Sequence, residues 1–420
     1  MDYKDLYINQ LNSHYCNARE LQYSTIYNYF LDSNELKQFY DFIDNTNEDF
    51  SNSLIKLDLK TFNSKNIYFS RCIELSQSIM NYCNLLIEDL KLDNASLAIR
   101  NMSEIMKSRI YSEVEGSLNI ENVPTTRKRF EELVVEDKKP VTTNDKVIKN
   151  MANAIEFVLK KPEFTKENLF KLYNILSKDS LDYDHRLHEG DFYRYDKVFV
   201  DAYEGCPFEE IGECMNSLFK YVNNHLKSQN YLQFFLPHIA HYYIVYIHPY
   251  FDFNGRTARM VSFWIYLLMN NPYPPYISDA INQTKGQYYA ALSESRNARN
   301  DITYFLLYIM DISILYFLTY KNIEHIDSIL KNKGTVLSNL DKDYIKRILV
   351  SANGNFMYTD FTHWNHIQIT KQGAFKILNR FVEYGILNVV NTNNNKKLFC
   401  VNTNIILYQK KAKIISDSYF

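Results

Sequence analysis

Apolar residues recur every three or four positions along most of the chain, which is the spacing that lines one face of an α-helix. Ile148, Met151 and Ile155 show this spacing after the polar stretch at 125–146, and residues 1–100 follow it as well. Further helices are predicted over 207–229, 231–247, 254–269 and 284–333. The predicted fold class is therefore mostly α.

Two segments depart from the helical pattern. Residues 190–200 (GDFYRYDKVFV) combine aromatic and β-branched residues with turn formers, which predicts a short β-hairpin on the helical body. Near the C-terminus, helices predicted over 344–352 and 370–384 precede strand-like stretches at 387–390 and 397–401. Two or three helices followed by a two-stranded hairpin are the outline of a winged helix.

Composition and charge narrow the classes of protein. A chain of 420 residues predicts two to three folding units, and its 10 glycines and 9 prolines disfavour sheets with many tight turns. The net charge of −2 provides no chain-wide basic field for nucleic acid or anionic lipid. Because the 6 cysteines include no Cys-x-x-Cys pair, we expect buried thiols in a reducing compartment.

The most apolar segment is 304–320. It is interrupted by Asp311 and is shorter than the roughly 20 apolar residues that a membrane helix needs. The N-terminus lacks an apolar run behind a basic stretch, so it does not resemble a secretory signal. We therefore expect a buried core helix, no membrane partner and a cytoplasmic location.

The stretch 247–259 (IHPYFDFNGRTAR) contains a candidate anion site. The chain has no Gly-x-Gly arrangement and no Gly-Lys-Ser/Thr, so neither a Rossmann loop nor a P-loop is available for nucleotide chemistry. Instead, the Asn254–Gly255 turn opens a helix whose N-terminal N–H groups attract anions. Arg256 and Arg259 follow on one side of that helix and can hold a polyphosphate.

Two side chains of the same stretch can act on a bound phosphate. Asp252 can hold a divalent cation between phosphate oxygens, and His248 can accept a proton from an attacking hydroxyl. His238 and His241 lie upstream without the glutamate of a zinc protease pattern, so we interpret them as packing residues. Arg186 and Arg194 could help to hold phosphate or a target, but a solvated charge is the default interpretation of both.

The stretch resembles the signature of Fic domain proteins, His-x-Phe-x-(Asp/Glu)-(Gly/Ala)-Asn-(Gly/Lys)-Arg-x-x-Arg. The matching positions are His248, Asp252, Asn254, Gly255, Arg256 and Arg259. The resemblance extends over about 108–318, since His241 falls where the family often has histidine and 190–200 resembles its flap hairpin. A C-terminal winged helix is a common companion in longer members.

The resemblance implies transfer of AMP from ATP to a Ser, Thr or Tyr hydroxyl of a target protein docked on the flap by strand addition. It implies the following roles: general base for His248, Mg²⁺ ligand for Asp252, α-phosphate contact for Asn254, β- and γ-phosphate partners for Arg256 and Arg259, phosphate cradle for Phe253 and Gly255, and nucleoside contacts for Tyr288 and Tyr289.

An upstream segment resembles the family's inhibitory pattern, (Ser/Thr)-x-x-x-Glu-(Gly/Asn). Glu115 and Gly116 match its last two positions, and Tyr111 stands at its Ser/Thr position. The resemblance implies an inhibitory helix over about 105–122 whose Glu115 pairs with Arg259 and denies the γ-phosphate its partner. We therefore expect a resting enzyme restrained by Glu115.

Two residues depart from the catalytic signature. Tyr250 replaces phenylalanine, and its hydroxyl then needs a partner. Phe253 stands where glycine or alanine is usual, so it can obstruct the phosphates or strain the backbone. Activity that is weak, altered in nucleotide choice, or absent stays open at this point.

The predicted organisation is an N-terminal helical region (1–104), a Fic domain (105–330) and a winged-helix domain (335–420). Two alternatives stay open: removal of AMP by the same site with Glu115 orienting water, and a non-catalytic DNA-binding or adaptor protein with a silenced loop. A second copy of the chain is a further candidate partner. Basic residues of the predicted winged helix could contact DNA, although ordinary solvation explains them at least as well. These residues are Lys371, Lys376, Arg380, Lys396 and Lys397.

Overall fold

The structure is a computed structural model, and the chain in it forms two compact units, Met1–Met310 and Asp311–Phe420. The predicted boundaries at 104/105 and 330/335 stay predictions. The described residues are 2–23, 28–45, 53–63, 65–88, 99–102, 104–200, 203–228, 231–269, 277–297, 299–364, 369–391 and 397–407.

The first unit is helical with two small antiparallel hairpins, as the mostly α prediction has it. Its helices are α1 (Tyr3–Asn12), α2 (Ala18–Tyr23), α3 (Ser33–Asn45), α4 (Ile73–Glu88), α5 (Glu104–Ile120), α6 (Arg127–Phe130), α7 (Thr143–Leu159), α8 (Lys166–Ser177), α9 (Ile211–Lys227), α10 (Leu236–Ile247), α11 (Asn254–Leu268), α12 (Ile277–Gln283), α13 (Lys285–Asn297) and the start of α14 (Thr303–Asn332). Its strands are β1 (Leu54–Lys56), β2 (Tyr68–Ser70), β3 (Phe199–Val200) and β4 (Tyr203–Glu204).

Helices α10 and α11 form the centre of this unit and carry the candidate site between them. Every residue of α10 except Val245 is buried, as expected for a helix that is apolar around its whole circumference. On α11, Trp264 is fully buried and its ring meets Phe157 of α7 and Phe164 edge-on. The site is therefore anchored on a rigid, close-packed core.

The predicted all-helical N-terminal region is a mixture of helix and strand. Strands β1 and β2 pair in register Leu54↔Ser70, Ile55↔Phe69 and Lys56↔Tyr68. These strands are only three residues long, which is too short for alternation to stand out in the sequence.

The predicted flap hairpin at 190–200 is displaced along the chain. Only Phe199 and Val200 are extended within that range, and they pair with Glu204 and Tyr203 in the short hairpin β3–β4. In the segment before them, the Arg194 N–H donates to the Pro249 carbonyl in the loop after α10 at 3.0 Å instead of to a partner strand. The aromatic composition of the segment thus reflects packing against that loop.

Helix α14 is the one described helix long and apolar enough to cross a membrane, and 78% of its most apolar 18-residue stretch is buried within the protein. This burial agrees with the core helix predicted over 304–320.

Among its described residues, the second unit has three helices and one hairpin after α14. Its elements are α15 (Asn339–Ser351), α16 (Tyr358–Trp364), α17 (Lys371–Glu383), β5 (Leu387–Asn391) and β6 (Lys397–Val401). Ile345, Leu378, Phe381 and Phe399 are fully buried in its core. The order of elements follows the predicted outline, and winged helix as a classification stays a prediction.

Two of the basic residues proposed for DNA contact bind other side chains within this unit. Arg380 forms an ion pair with Asp341, and Lys397 donates a hydrogen bond to Asn379. Lys371 and Lys376 are exposed, and Lys396 lies outside the described residues. DNA binding therefore stays a prediction, and fewer of the basic side chains are available for phosphate contacts than the sequence alone indicated.

Candidate functional site

A sharp reversal of the chain joins α10 to α11. His248 ends α10 in the left-handed conformation (φ 55°, ψ 62°), with its N–H bonded to the Ile244 carbonyl at 2.9 Å. Asn254 then closes the loop with two reciprocal bonds to the main chain of Tyr250, at 2.9 Å to its N–H and 2.8 Å to its carbonyl. The predicted phosphate loop therefore exists as a braced turn that opens directly into helix α11.

Arg194, predicted to be a solvated charge, is instead buried against this loop. Its Nε donates to the His248 carbonyl at 2.8 Å and its Nη1 to the Asp196 carbonyl at 2.6 Å, while Nη2 donates to the Cys206 carbonyl. The side chain is 2% exposed. The prediction was wrong because the partners are main-chain carbonyls, which no residue type in the sequence reveals.

The imidazole of His248 is neutral at physiological pH. Burial lowers its pKa to about 4, the cations Arg194 and Arg296 act in the same direction, and the Val245 carbonyl and Asp252 oppose them. Its Nδ1 is buried, which leaves Nε2 as the nitrogen that a substrate can reach. A neutral imidazole with an open nitrogen is a proton acceptor.

A cavity of about 660 Å³ opens next to His248. This volume is within the range of small-molecule sites. Its lining includes six of the predicted site residues: His248, Asn254, Gly255, Arg259, Tyr288 and Tyr289. Unpredicted residues also line it: Asn63, Glu121, Tyr203, Arg296, Asn297 and Asn300.

The carboxylate that contacts Arg259 in this cavity is Glu121, so the predicted pairing with Glu115 is corrected. Glu121 Oε1 accepts from Arg259 Nη2 at 2.8 Å, and Ser117 accepts from the same guanidinium through its hydroxyl (3.1 Å) and its carbonyl (3.2 Å). Glu115 accepts a hydrogen bond from the Tyr111 hydroxyl at 2.8 Å. Ser117 and Glu121 are four residues apart and share a side of the helix end, whereas a residue two positions before Ser117 faces the opposite way.

The inhibitory pattern also fits the segment that contains Glu121, and there it matches at every defined position. Ser117 occupies its Ser/Thr position, Glu121 its glutamate and Asn122 its Gly/Asn position. The sequence therefore already contained a full match to the pattern, with its glutamate six residues downstream of Glu115. Whether Glu115 or Glu121 faces Arg259 depends on the rotation of α5 about its own axis, and the packing of α5 sets that rotation.

Glu121 is held in its ionised form. Burial by itself would raise the pKa of Glu121, but the cations Arg259, Arg256 and Lys285 outweigh it and lower the pKa. Lys285 also donates to the Ile120 carbonyl at 2.5 Å and to Asn122 Oδ1 at 3.3 Å, which caps the end of α5.

Gly116 has a packing role rather than a place in the inhibitory pattern. A Cβ at this position would lie 2.5 Å from the backbone nitrogen of Asp279 on α12. One turn earlier on α5, the buried carboxylate of Glu113 accepts from the Ser278 N–H at 3.0 Å and from the Ser278 hydroxyl. Helices α5 and α12 are thus in backbone contact.

Phe253 has the strained backbone that its position implied, but its ring does not block the cavity. The residue is left-handed (φ 67°, ψ 8°), a conformation that favours glycine. Its side chain is 3% exposed, and the Arg256 guanidinium lies over the ring at 3.5 Å. The Arg256 Nη2 also lies 3.3 Å from Asp252 Oδ1, so this arginine is held by two neighbours in its own loop.

Tyr250 lies deep in the core, and its hydroxyl lacks the expected partner. The ring is fully buried and stacks on Tyr173 with centroids 3.8 Å apart and planes 7° apart. Within the described residues, its hydroxyl makes no hydrogen bond. The ring therefore performs the anchoring role of the usual phenylalanine, with an added polar atom.

The upstream histidines are core residues. His238 Nε2 bonds the Tyr266 hydroxyl at 2.7 Å, and His241 Nε2 bonds the hydroxyl of the cavity residue Tyr288 at 2.9 Å. Burial lowers the pKa of both imidazoles, that of His238 to about 3. This agrees with the interpretation as packing residues.

The N-terminal region supplies part of the cavity wall. Phe62 stacks on Tyr246 of α10 at 4.7 Å and lies 6.4 Å from the ring of Tyr203 on β4, and its neighbour Asn63 lines the cavity. The Lys60 main chain accepts from the Tyr243 hydroxyl at 2.5 Å. No residue type in 57–63 signalled this contribution.

Comparison with known proteins identifies the matching region. A model of the Fic/DOC family matches residues 163–266. The protein adenylyltransferase Fic of Drosophila grimshawi is 28% identical over 228 residues, covering 52% of this chain and 43% of that protein. The protein of the same name from Drosophila erecta is 26% identical over 225 residues, covering 52% and 42%. The chain thus spans less than half the length of these relatives.

Solved structures of Fic proteins are also similar. A Fic family protein from Desulfovibrio desulfuricans G20 aligns with a TM-score of 0.47 and 16% identity over 80% of this chain and 98% of that one. Fic-1 (residues 134–508) from C. elegans aligns with a TM-score of 0.46 and 19% identity over 59% and 71%. The chain therefore contains a Fic domain, because residues 163–266 match the Fic/DOC family and include the loop between α10 and α11.

Proposed function

We propose that the chain is a protein adenylyltransferase that moves AMP from ATP to a hydroxyl group of a target protein and is restrained by Glu121. One observation carries the proposal: Glu121, Arg259 and His248 line the same cavity, with the Glu121 carboxylate 2.8 Å from Arg259. A proton acceptor, an anion site and a carboxylate that blocks the anion site are the parts that such a regulated transfer needs.

The proposed reaction is an in-line displacement at phosphorus. The target hydroxyl oxygen forms a bond to the α-phosphorus, the bond from that phosphorus to the pyrophosphate oxygen breaks, and the hydroxyl proton passes to His248 Nε2. The low pKa of His248 keeps the imidazole neutral and ready to accept this proton. The N-terminal N–H groups of α11 and the Arg259 guanidinium stabilise the phosphates.

Asp252 fits a magnesium ligand. Its carboxylate side chain is 45% exposed, and both of its hydrogen bonds, from the Phe253 N–H at 2.5 Å and from Arg256 at 3.3 Å, go to Oδ1. Oδ2 is therefore available to a hard cation, which prefers carboxylate oxygens. Bound Mg²⁺ would neutralise charge on the phosphates of ATP.

Glu121 restrains this site by occupying a phosphate partner. The ionised carboxylate takes an Nη2 hydrogen bond of Arg259 and brings negative charge to the place where the γ-phosphate would lie. A triphosphate must displace it, which lowers ATP affinity and disfavours the productive pose.

The target is proposed to dock on the β3–β4 flap. This hairpin has two residues per strand and an exposed Phe199 (68%), so an extended segment can add a third strand and cover that ring. Tyr203, on the same hairpin, lines the cavity, which places the docked segment next to the nucleotide.

The test is the intact mass of the purified chain after incubation with Mg²⁺-ATP and a candidate target. We expect an AMP adduct on the target or on the chain itself with Glu121→Gly, a weaker adduct with the wild type, and none with Glu121→Gly/His248→Ala. Absence of adducts with all three proteins, although ATP binds, would contradict the proposed transfer. Loss of a preformed adduct would instead support the alternative, removal of AMP.

A further inference from the structure

Arg194 has an unusual environment for an arginine. It is 2% exposed, and all three guanidinium nitrogens donate to main-chain carbonyls, those of His248, Asp196 and Cys206. Its own N–H donates to the Pro249 carbonyl at 3.0 Å. Among the described residues, no carboxylate lies within ion-pair distance of it. Burial lowers its pKa, and the charges of Asp196 and Glu204 oppose this effect without contacting the guanidinium.

A buried charge without a counter-ion is expensive, because a guanidinium loses its hydration on burial. The three carbonyls replace the hydrogen bonds that the guanidinium would make with water, but they carry no negative charge that would neutralise it. A neutral side chain of the same shape would fill a purely structural position at lower free energy. The arrangement therefore points to a use for the positive charge and for the rigid planar fork.

The carbonyls belong to two parts of the site. Asp196 precedes strand β3 and Cys206 follows strand β4, so Arg194 ties together both ends of the flap. The third carbonyl is that of His248, the residue that carries the proposed base. The packing is close, since a Cβ on Gly205 would lie 3.0 Å from Arg194 Nη2 and 3.4 Å from His248 Cβ.

We propose that Arg194 is a positioning residue that sets the orientation of His248 and joins this residue to the flap on which the target docks. The inference rests on the proposed function. Because His248 is held in the left-handed conformation through its carbonyl, loss of the fork lets the imidazole move from its place beside the cavity. A displacement of about 1 Å at a reacting group can lower a rate about 100-fold.

The charge of Arg194 also acts on the imidazole. The charged groups that influence His248 are Arg194 and Arg296, which lower its pKa, and Asp252, which raises it. Removal of Arg194 leaves Arg296 and Asp252 with opposing effects, so the pKa of His248 rises. A general base works only when neutral, so the rate of a variant without this charge falls at a higher pH than that of the parent.

The experiment uses the full chain carrying Glu121→Gly, in which the restraint is removed. Arg194→Gln removes the charge, Arg194→Lys keeps it without the planar fork, and Arg186→Gln is the matched control on an exposed arginine of the segment leading to the flap. Transfer rates are measured from about pH 3.5 to about pH 8, a range that includes the pKa of His248, together with the KM for ATP and the His248 titration by NMR of isotope-labelled histidine.

For Arg194→Gln we expect a kcat about 100-fold lower, an unchanged KM for ATP, and an acid limb and a His248 pKa displaced to higher pH. For Arg194→Lys we expect an unchanged acid limb with a partial loss of kcat, and for Arg186→Gln no change. A parent-like rate and His248 pKa in Arg194→Gln would overturn the inference.

Two outcomes separate this inference from the proposed function. If Glu121→Gly gives no AMP adduct, the proposed function fails, and the NMR titration still decides whether Arg194 sets the state of His248. If Arg194→Gln lowers thermal stability and KM changes in parallel with kcat, Arg194 is only structural and the inference fails.

Discussion

Glu121 Oε1 lies 2.8 Å from Nη2 of Arg259, and both side chains line the cavity next to His248. Arg259 is 2% exposed, so the ion pair is shielded from solvent on the arginine side. Such a pair holds more strongly than one on the surface, because less water competes for it. Ser117 takes two further hydrogen bonds of the same guanidinium, so the end of α5 is tied to α11 at three points.

The pair leads to a prediction about nucleotide affinity. Glu121→Gly removes the carboxylate that competes with a triphosphate, so we expect ATP to bind at least about 10-fold more tightly, which corresponds to the loss of one charge-assisted contact. Glu115→Gly is the matched control on the same helix and should leave the affinity unchanged. Titration calorimetry with Mg²⁺-ATP measures both, and equal affinities for the two variants would place the restraint elsewhere.

Tyr250 leads to a prediction about stability. Its hydroxyl is buried and has no partner among the described residues, so Tyr250→Phe removes an unsatisfied polar atom while keeping the stacked ring. We expect unfolding to require about 1 kcal/mol more free energy. Tyr243→Phe is the control, because the Tyr243 hydroxyl donates to the Lys60 carbonyl, and there we expect a loss of about 1 kcal/mol. Denaturant unfolding compares the two, and stabilisation by both would refute the argument.

Gly116 tests the contact between α5 and α12. A methyl group there would lie 2.5 Å from backbone atoms of Asp279, so Gly116→Ala must push the helices apart. We expect a loss of about 1–3 kcal/mol of stability and a partial release of the Glu121 restraint. Gly286→Ala is the matched control: no atom lies within 4 Å of its Cβ position, and we expect a gain of about 0.5–1 kcal/mol. An unchanged free energy of unfolding for Gly116→Ala would contradict the close backbone contact between α5 and α12.

Glu113 gives the same interface a pH dependence. Burial raises the pKa of Glu113 from 4.5 to about 7, so between these values the folded chain holds a proton that the unfolded chain releases. Its contribution to stability is therefore present below about pH 4.5 and is lost as the pH rises to about 7, by about 3 kcal/mol at most.

Glu113→Gln removes this titration and keeps hydrogen bonding to Ser278 available. We expect its unfolding free energy to fall less steeply between pH 5 and pH 7 than that of the wild type. Asp301, whose pKa burial raises to about 6, remains in the variant and accounts for a residual slope of the same sign. Identical slopes in the two proteins would show that Glu113 does not titrate in this range.

The catalytic loop could be predicted because its chemistry is local. His248, Asp252 and Arg259 lie within twelve residues, and the Asn254 amide closes the turn on Tyr250 only four residues away. Helices α10 and α11 were likewise visible, because burial of a whole helix leaves a continuous apolar stretch. Local hydrogen bonds and local burial leave traces in the order of residue types.

The contacts of Arg194 and Glu121 leave no such trace. Arg194 bonds a carbonyl 54 positions away and Glu121 bonds a guanidinium 138 positions away. A carbonyl is the same at every position, and a glutamate near the end of α5 could face any neighbour. The inhibitory pattern is matched in full only by Ser117, Glu121 and Asn122, whereas the occurrence at Glu115 has Tyr111 at the Ser/Thr position. The contact of Glu121 with Arg259 agrees with the full match.

The wall supplied by Phe62 and Asn63 has a consequence for the choice of fragments. A shortened chain that begins at the predicted domain start, residue 105, would lose the ring that stacks on Tyr246 and the amide that faces the cavity. Such a fragment would present an enlarged, more hydrated nucleoside end and would discriminate less between bases. Under the proposed function, nucleotide preference would therefore depend on Phe62 and Asn63 as well as on the residues after position 105.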